Sequence, residues 1–225
     1  MDSTLHSSID PNPSEIASQN ERSKSKVDAY FSADVETDGP IPGQFSILSF
    51  ALVYAGSFDG KHFQRPENYE QRLYKEVRPI SEHFEPEALR VNGLDRARLC
   101  LEGESPETAM TEACRWVNRV AGVAQPVLVA YPLSFDWSWL YWYFIRFSAE
   151  GSPFDYSRCF DVKTAFAVKA AVPISEAGRS RIDPSLRPTH PHTHHAIDDA
   201  IAQAEIFANV FEWEAVGGRT RRSPL

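Results

Sequence analysis

Cysteine is scarce in this sequence of 225 residues, and the three that occur, Cys100, Cys114 and Cys159, form no C-x-x-C pair. An odd number of scattered cysteines argues against a disulfide framework and against a thiolate zinc site. No run of 18 apolar residues occurs, and the first residues lack the basic and apolar segments of a secretory signal. We therefore expect a cytoplasmic protein that neither spans a membrane nor is secreted.

Positive charge is also in short supply, since 23 Lys and Arg residues face 31 Asp and Glu residues, for a net charge of −8. Because residues 1–26 carry a net charge of −1 and residues 217–225 one of +3, residues 27–216 carry −10. This balance excludes a globally positive field that holds nucleic acid. It is typical of a solvated acidic surface, or of carboxylates gathered around divalent metal, and both explanations stay open.

The composition predicts one domain with a tail at each end. Residues 1–26 are rich in Ser, Asn and Pro and predict a disordered tail, because they offer little apolar surface to bury. Residues 27–216 contain the apolar patterns and predict the folded domain. Residues 217–225 predict a basic tail.

Within the domain, apolar patterns predict three strands, then a helix, a second helix, a strand and an aromatic helix, and finally a closing helix. Segment 159–171 is ambiguous between strand and helix, and segment 172–193 reads as a loop broken by prolines. Helix signals include Asn92-Gly93 as a stop, Ser105 and Ser134 as N-caps, and Gly217-Gly218 as the end of the last helix. The order predicts an α/β fold, a mixed β-sheet flanked by α-helices. The strands are predicted at 27–36, 44–55, 69–77 and 126–131, and the helices at 82–91, from 106, at 135–147 and from 196.

Two acidic residues, Asp34 and Glu36, are separated by one residue at the end of the first predicted strand. Alternation along a strand places residues i and i+2 on one face, so both carboxylates point to one place. Their charges repel unless a positive group lies between them. The pattern indicates either a solvated strand end or a shared hard cation with oxygen ligands.

A third acidic residue, Asp136, lies where the strand 126–131 gives way to the aromatic helix. A carboxylate in the first turn of a helix is stabilised by the helix dipole, and this is a sufficient structural reason for it. Residues 135–144 are mostly aromatic. We expect most of them to pack in the core, because they run all round the helix, and base stacking is the alternative.

Histidines and acids meet where the last helix is predicted to begin, in the segment 194–199. His195 and Asp199 are four residues apart and are expected to share a helix face, while His194 can turn from the loop toward the same point. An imidazole beside bound metal can accept a proton from water near neutral pH. The alternative explanation of Asp198-Asp199 is that acids in a first turn favour the helix dipole.

The same histidines belong to a tract, residues 190–195, that could bind zinc, nickel or copper. This hypothesis rests on composition alone. No cysteine lies nearby, and the carboxylates elsewhere in the sequence favour a hard ion over a soft one.

Taken in order, Asp34-x-Glu36, Ser134-Phe135-Asp136 and His194-x-x-x-x-Asp199 resemble the three motifs of the DEDDh 3′–5′ exonucleases, which belong to the ribonuclease H-like superfamily. The resemblance extends from about Val27 to Phe211 and covers the strand order. It includes residues 86–94, which are similar to the family's P-E-A-x-x-V-x-G-[IL] segment. Residues 196–205 are similar to its closing helix.

The resemblance implies that Asp34, Glu36, Asp136 and Asp199 bind two Mg²⁺ or Mn²⁺ ions. It further implies that His194 is the general base. His195 is the second choice, because a pair of histidines begins the helix and the assignment can shift by one residue. Thr37 and Phe135, which adjoin motif acids, are the candidates for substrate contact. Two divalent ions, roughly 3.5–4 Å apart, would neutralise four carboxylates and promote attack on the terminal phosphodiester. The implied reaction releases nucleoside monophosphates from the 3′ end of single-stranded DNA or RNA.

Two other functions are weighed against this hypothesis. One is a catalytically silent nucleic-acid-binding or assembly domain of the same fold; the presence of all four motif carboxylates favours the enzyme. The other is a His-tract protein that binds zinc or nickel and ignores Mg²⁺. The sequence does not distinguish DNA from RNA, because contacts to the 2′-OH form no motif, and it does not indicate duplex tolerance, pathway or oligomeric state.

Overall fold

The computed structural model describes residues 25–214, so the two predicted tails lie outside the described residues apart from positions 25 and 26. The described residues form a mixed sheet with helices on both faces, which is the predicted architecture. The strands are β1 (Asp28–Thr37), β2 (Ile47–Phe58), β3 (Phe63–Gln64), β4 (Arg72–Glu76), β5 (Gln125–Ala130) and β6 (Cys159–Asp161). The helices are α1 (Pro86–Asn92), α2 (Arg96–Glu102), α3 (Pro106–Ala121), α4 (Leu133–Phe147), α5 (Val162–Ala170) and α6 (Ala196–Glu212).

The sheet has the order β3-β2-β1-β5-β6, and β4 also pairs with β2. Strand β2 is antiparallel to β1, β3 and β4, whereas β1, β5 and β6 run parallel. The predicted meander of three strands is thereby confirmed, and so is the strand–helix unit of β5 and α4. The two-residue strand β3 and the helix α2 were not predicted.

Alternation in β1 assigns its two faces to two separate cores. Phe31 and Val35 point to the face that α3 and α4 cover. Tyr30 points to the opposite face, where its ring lies 4.9 Å from that of Phe207 in α6. Because β1 is covered by helices on both faces, the polar side chains near its end, Asp34 and Glu36, are partly buried.

Two of the predicted capping signals are confirmed. Ser105 caps α3, since its hydroxyl accepts from the backbone N–H of Thr108 at 3.2 Å. Gly93 ends α1 in the left-handed conformation, with φ of 67°, which glycine adopts without the steric penalty of a side chain.

The prediction that Ser134 caps α4 is wrong. The helix begins at Leu133, after Pro132, so Ser134 already lies in its first turn. The N–H of Leu133 donates to the carboxylate of Asp161 at 3.1 Å, which means that a side chain from the end of β6 satisfies this helix terminus.

The remaining segments resolve as follows. The ambiguous segment 159–171 divides into β6 and α5, and the predicted loop contains three short 3₁₀ turns, at Ile174–Glu176, Arg179–Arg181 and Pro184–Leu186. Helix α6 ends at Glu212, before the predicted Gly217-Gly218 stop, which lies outside the described residues. Between residues 25 and 214, no helix combines the length and the apolar character needed to cross a bilayer.

Directly after β1, a buried ion pair fixes the turn that follows the strand. The side chain of Asp38 is fully buried; its Oδ2 accepts from Nε of Arg96 at 2.9 Å and its Oδ1 from the N–H of Ser46 at 2.5 Å. Arg96 is itself only 12% exposed and also donates to the carbonyl of Ser81. The pair therefore ties α2 to the turn behind Glu36.

We expect Arg96→Met to lower the free energy of unfolding by about 3–5 kcal/mol, because it leaves the buried carboxylate of Asp38 without its counter-ion. Urea denaturation measures this loss. The matched control is Arg90→Met, which breaks the surface pair with Glu87 on α1 and should cost at most about 1 kcal/mol. Equal losses of stability in the two variants would show that burial does not increase the contribution of the Asp38–Arg96 pair.

Candidate active site

Asp34 and Glu36 lie near the end of β1 and belong to the alternating set that begins with Tyr30, so both face α6. Their partner on α6 is Asp199, in the first turn of that helix and only 1% exposed. One carboxylate oxygen from each of the three residues lies within 4.8 Å of the others. The convergence that alternation predicts for Asp34 and Glu36 is confirmed, and Asp199 joins them.

Asp136 reaches the same region from α4 for a reason that lies in the sheet. The pairing of β1 with β5 ends at Ser32, although β1 continues to Thr37. The N–H of Val35 is thus left without a partner on β5, and it donates instead to Oδ1 of Asp136 at 3.1 Å. Asp136 is 6% exposed and is brought to the edge of the carboxylate group. We call Asp34, Glu36, Asp136 and Asp199 the carboxylate cluster.

Burial and mutual repulsion make this cluster difficult to ionise. The pKa of Asp34 lies well above its usual range, first because of burial and then because of Asp136, Glu36 and Asp199. Burial, followed by the charges of Asp199 and Asp136, raises the pKa of Glu36 to about 8. Burial raises the pKa of Asp136 to about 7, against the hydrogen bond from Val35. A bound cation would remove this penalty, because it favours the charged form of each carboxyl.

These shifts predict how pH affects the metal-free protein. Folded Glu36 holds its proton up to about pH 8, whereas its ordinary pKa is 4.5. The folded state therefore binds more protons than the unfolded state between these values, and stability contributed by this group falls as pH rises from 5 to 8. We expect Glu36→Gln to lose less stability as pH rises, because glutamine does not ionise. The free energy of unfolding of the variant should therefore exceed that of the native protein by an amount that grows with pH.

Urea denaturation in the presence of EDTA, at pH 5, 6, 7 and 8, measures the effect. Glu67→Gln, in a solvent-exposed loop, is the matched control and should leave the dependence of the free energy of unfolding on pH unchanged. A constant difference between Glu36→Gln and the native protein across this range would contradict the proposed repulsion within the cluster. Mg²⁺ should stabilise the native protein more at pH 8 than at pH 5, because it competes with protons.

The two candidate bases occupy different environments. One ring nitrogen of His194 lies within 4.8 Å of ligand atoms of Asp199 and His192, so His194 does reach the carboxylate cluster from the loop. The prediction that His195 shares a helix face with Asp199 is wrong. His195 precedes the first residue of α6, and its ring stacks on Tyr74 of β4, with 4.9 Å between centroids.

The other acid of this segment, Asp198, has a structural role. It accepts hydrogen bonds from the hydroxyl of Thr193 at 2.8 Å and makes a contact of 3.2 Å with Nε2 of His190. The N–H of Thr193 in turn donates to Asp199 at 2.9 Å. The segment before α6 is thus fastened to the first turn of the helix.

Sequence analysis missed two residues of the site, Gln203 and Arg179. Gln203 is fully buried; its amide donates to Asp34 at 2.9 Å and to the carbonyl of Ala33 at 3.1 Å, and it accepts from the N–H of Tyr131 at 2.6 Å. A signal for it exists, since Gln203 is a polar residue four positions after Asp199, within the apolar run of residues 200–204.

Arg179 supplies positive charge to the cluster, and it lowers the pKa values of Asp34 and Asp136. Its guanidinium carbon lies 5.7 Å from the centre of the Tyr131 ring, and Nη1 lies 3.3 Å from Nδ1 of His192. Its Nε is buried and has no hydrogen-bond partner among residues 25–214. No sequence signal marks it, because it lies in the irregular segment between α5 and α6.

The two candidate substrate contacts differ in what they offer. Phe135 is 41% exposed beside Asp136, whereas Thr37 is buried and its hydroxyl donates to the carbonyl of Gly39 at 2.8 Å. Both assignments stay predictions. Most of the other aromatic side chains of α4 form core as predicted, with Trp139 and Tyr143 fully buried.

The residues of the carboxylate cluster fit a hard divalent cation. Their donors are carboxylate oxygens, which suit Mg²⁺ and Mn²⁺, and they converge so closely that neighbouring carboxylates raise the pKa values of Asp34 and Glu36. The site combines the carboxylate cluster with the imidazole of His194 and the guanidinium of Arg179. This combination is suited to hydrolysis of a phosphate ester.

Comparisons with known proteins agree with this chemistry. No protein-family model matches the chain. The curated 3′–5′ DNA exonuclease Cap18 of Escherichia coli is 32% identical over 179 residues, which are 79% of this chain and 89% of the relative.

Solved structures share the fold at low sequence identity. E. coli exonuclease I in complex with a dT13 oligonucleotide matches with a TM-score of 0.57 at 14% identity, over 83% of this chain and 41% of that chain. The nuclease domain of 3′hExo, a DEDDh family member bound to rAMP, matches with a TM-score of 0.59 at 12% identity, over 84% of this chain and 93% of that chain. The chain thus spans less than half the length of exonuclease I, and the predicted ribonuclease H-like fold is confirmed.

Proposed function

The chain belongs to the DEDDh family of 3′–5′ exonucleases, and we propose that it removes nucleoside monophosphates from the 3′ end of single-stranded DNA with two Mg²⁺ or Mn²⁺ ions. The exonuclease activity and its dependence on divalent metal come with the family. The choice of DNA is supported by the name of the relative Cap18, a DNA exonuclease. The observation that carries the proposal is the convergence of Asp34, Glu36 and Asp199.

The four residues of the carboxylate cluster would hold the ions. When bound, the ions supply positive charge that polarises the phosphodiester and the attacking water. Gln203 holds Asp34 in place through its amide, and the N–H of Val35 holds Asp136. The N–H of Thr193 holds Asp199 in the same way. The protein thereby fixes three of the four carboxylates before substrate arrives, which lowers the cost of organising the site.

His194 would accept the proton of the attacking water. The oxygen of that water forms a bond to the terminal phosphorus, and the bond from phosphorus to the 3′ oxygen of the preceding nucleotide breaks. A nucleoside 5′-monophosphate leaves, and the new 3′ oxygen takes a proton from solvent. We expect the exposed ring of Phe135, next to Asp136, to stack on the terminal base.

Arg179 would contact the terminal phosphate, because its Nε has no hydrogen-bond partner in the described part of the chain and bound cations would release its charge from the carboxylates. We expect Arg179→Met to lower kcat/KM by a factor of about 10 to 100. Arg181→Met is the matched control; Arg181 lies in the same turn but pairs with Glu176 at the surface. Equal activities of the two variants would remove Arg179 from the mechanism.

Digestion of single-stranded DNA and RNA oligonucleotides, labelled at either end, tests the proposal. With Mg²⁺ or Mn²⁺, a 3′ label on DNA should appear at once in mononucleotides, while a 5′ label should remain on steadily shortening strands. EDTA should stop both changes. Early release of the 5′ label would contradict the polarity, and faster digestion of RNA would contradict the choice of DNA.

The alternative of a catalytically silent domain is not favoured, because the chain keeps all four motif carboxylates. Asp34, Glu36 and Asp199 converge, and the N–H of Val35 in the same strand holds Asp136. Absence of cleavage with every oligonucleotide and both ions would revive it. The cytoplasmic location and the assignment of residues 1–26 and 217–225 as tails stay predictions.

A further inference from the structure

A second set of metal-ligand atoms lies beside the carboxylate cluster and shares one residue with it. His192, His194 and Asp199 each offer one ligand atom, and the three atoms lie within 4.8 Å of one another. We propose that these residues form a separate site for a transition ion such as Zn²⁺, and that an ion bound there inhibits the exonuclease. We call this set the histidine site.

The donor chemistry separates the two sets. The carboxylate cluster offers only oxygen and suits hard ions, whereas the histidine site offers two imidazoles and one carboxylate, a combination that suits zinc with one position left open. Nδ1 of His192 already lies 2.7 Å from Oδ1 of Asp199, and the rings of His192 and His194 are 4.6 Å apart between centroids. Ligands of a tetrahedral zinc ion lie roughly 3–3.5 Å apart, so small side-chain rotations suffice.

The backbone between the two histidines is fixed relative to the first turn of α6. Thr193 is fastened to Asp199 through its N–H and to Asp198 through its hydroxyl. His194 adopts a left-handed conformation, with φ of 59°, which is uncommon for a residue other than glycine. Both histidines are exposed, so an ion can reach them from solvent.

The shared residue makes the two sites antagonistic. An ion in the histidine site uses the carboxylate of Asp199, which the proposed mechanism requires for the catalytic ions, and it occupies the imidazole of His194, which the mechanism requires for the proton. The inhibitory part of the inference therefore rests on the proposed function. The existence of the histidine site does not.

Arg179 opposes an ion at this place. Its Nη1 lies 3.3 Å from Nδ1 of His192, so that a bound cation faces a positive charge. This contact predicts the direction in which replacing Arg179 changes the zinc affinity, and composition alone would not predict it. Removing the guanidinium should strengthen zinc binding, although Arg179 supplies no ligand.

The binding test uses the full chain and Zn²⁺ itself, in competition with a chromogenic chelator. We expect His192→Ala to weaken zinc binding by about tenfold or more and Arg179→Ala to strengthen it. His190→Gln is the matched control, because His190 belongs to the same tract but contacts Asp198, and it should change the affinity less than about twofold. Visible absorption of the Co²⁺ complex reports the same ligands without any assay of activity.

Two results would overturn the site. If His192→Ala binds zinc as tightly as the native protein does, zinc binds elsewhere. If His190→Gln loses as much zinc affinity as His192→Ala, the tract as a whole binds the ion. Thermal denaturation of each variant confirms that it is folded. A variant that does not fold is replaced by His192→Gln, which keeps the size of the side chain but is a poor zinc ligand.

The inhibition test adds Zn²⁺ to the Mg²⁺-supported digestion of single-stranded DNA. His192→Ala should keep its activity without zinc and lose most of the inhibition, and excess Mg²⁺ should weaken inhibition of the native enzyme. Equal inhibition of both proteins would overturn the antagonism while the proposed function stands. No digestion by either protein, together with weaker zinc binding by His192→Ala, would overturn the proposed function while the histidine site stands.

Discussion

Asp34→Asn is expected to reduce cleavage by a factor on the order of 10⁴ or more while the protein stays folded. Asp34 is the member of the carboxylate cluster whose pKa all three others raise, so a cation shared by the cluster depends on its charge. Asparagine keeps the oxygen that accepts from Gln203 and removes only the negative charge. The change therefore tests the charge and not the packing.

The same substitution should stabilise the metal-free protein, by about 1–3 kcal/mol, because it removes one of the repelling carboxylates. Urea denaturation in EDTA measures this gain, and Mn²⁺ binding followed by electron spin resonance measures the loss of metal affinity. Asp28→Asn is the matched control, since Asp28 begins the same strand but lies at its far end, where its side chain accepts from the hydroxyl of Tyr30 at 3.4 Å. It should keep full activity.

Near-native activity of Asp34→Asn in Mg²⁺ would refute the metal-dependent mechanism. Asp136→Asn should behave in the same way, because it keeps the oxygen that accepts from Val35. A variant that loses activity and also unfolds would show a structural role for the carboxylate, and the denaturation curves separate that outcome from loss of catalysis.

His194→Ala is expected to lower turnover by a factor of about 10² to 10⁴ with little change in metal or substrate affinity. His194 reaches the carboxylate cluster, whereas His195 precedes the first residue of α6 and its ring stacks on Tyr74. His195→Ala should therefore have a much smaller effect. His192→Ala serves as a second control, because His192 also touches Asp199 but falls outside the H-x-x-x-x-D spacing.

The pH profile separates an imidazole from ionisation of water at the metal. The acid limb of the native profile should contain an ionisation that is absent from His194→Ala. Exchange of Mg²⁺ for Mn²⁺ should move an ionisation of metal-associated water more than one of an imidazole. If His195→Ala is the severe variant and His194→Ala the mild one, the assignment of the base is wrong by one residue.

Local patterns predicted much of this protein because they depend on neighbours in the chain. Alternation along β1 placed Asp34 and Glu36 on one face, and Ser105 and Gly93 marked helix ends through contacts within a few residues. The capping prediction for Ser134 failed, because the partner that satisfies the start of α4 is Asp161, which lies 28 positions away. The pattern around a helix end does not contain such a contact.

The sequence by itself determined the kind of chemistry. It contains four carboxylates and a histidine in the order and spacing of the DEDDh motifs, and apolar periodicity predicts the strands and helices that carry them. The tertiary structure alone decided which groups assist them. Val35 meets Asp136 across 101 positions and Gln203 meets Asp34 across 169, and Arg179 arrives on an irregular segment. Contacts of this range depend on how the sheet and the helices pack, and no local pattern in the chain encodes them.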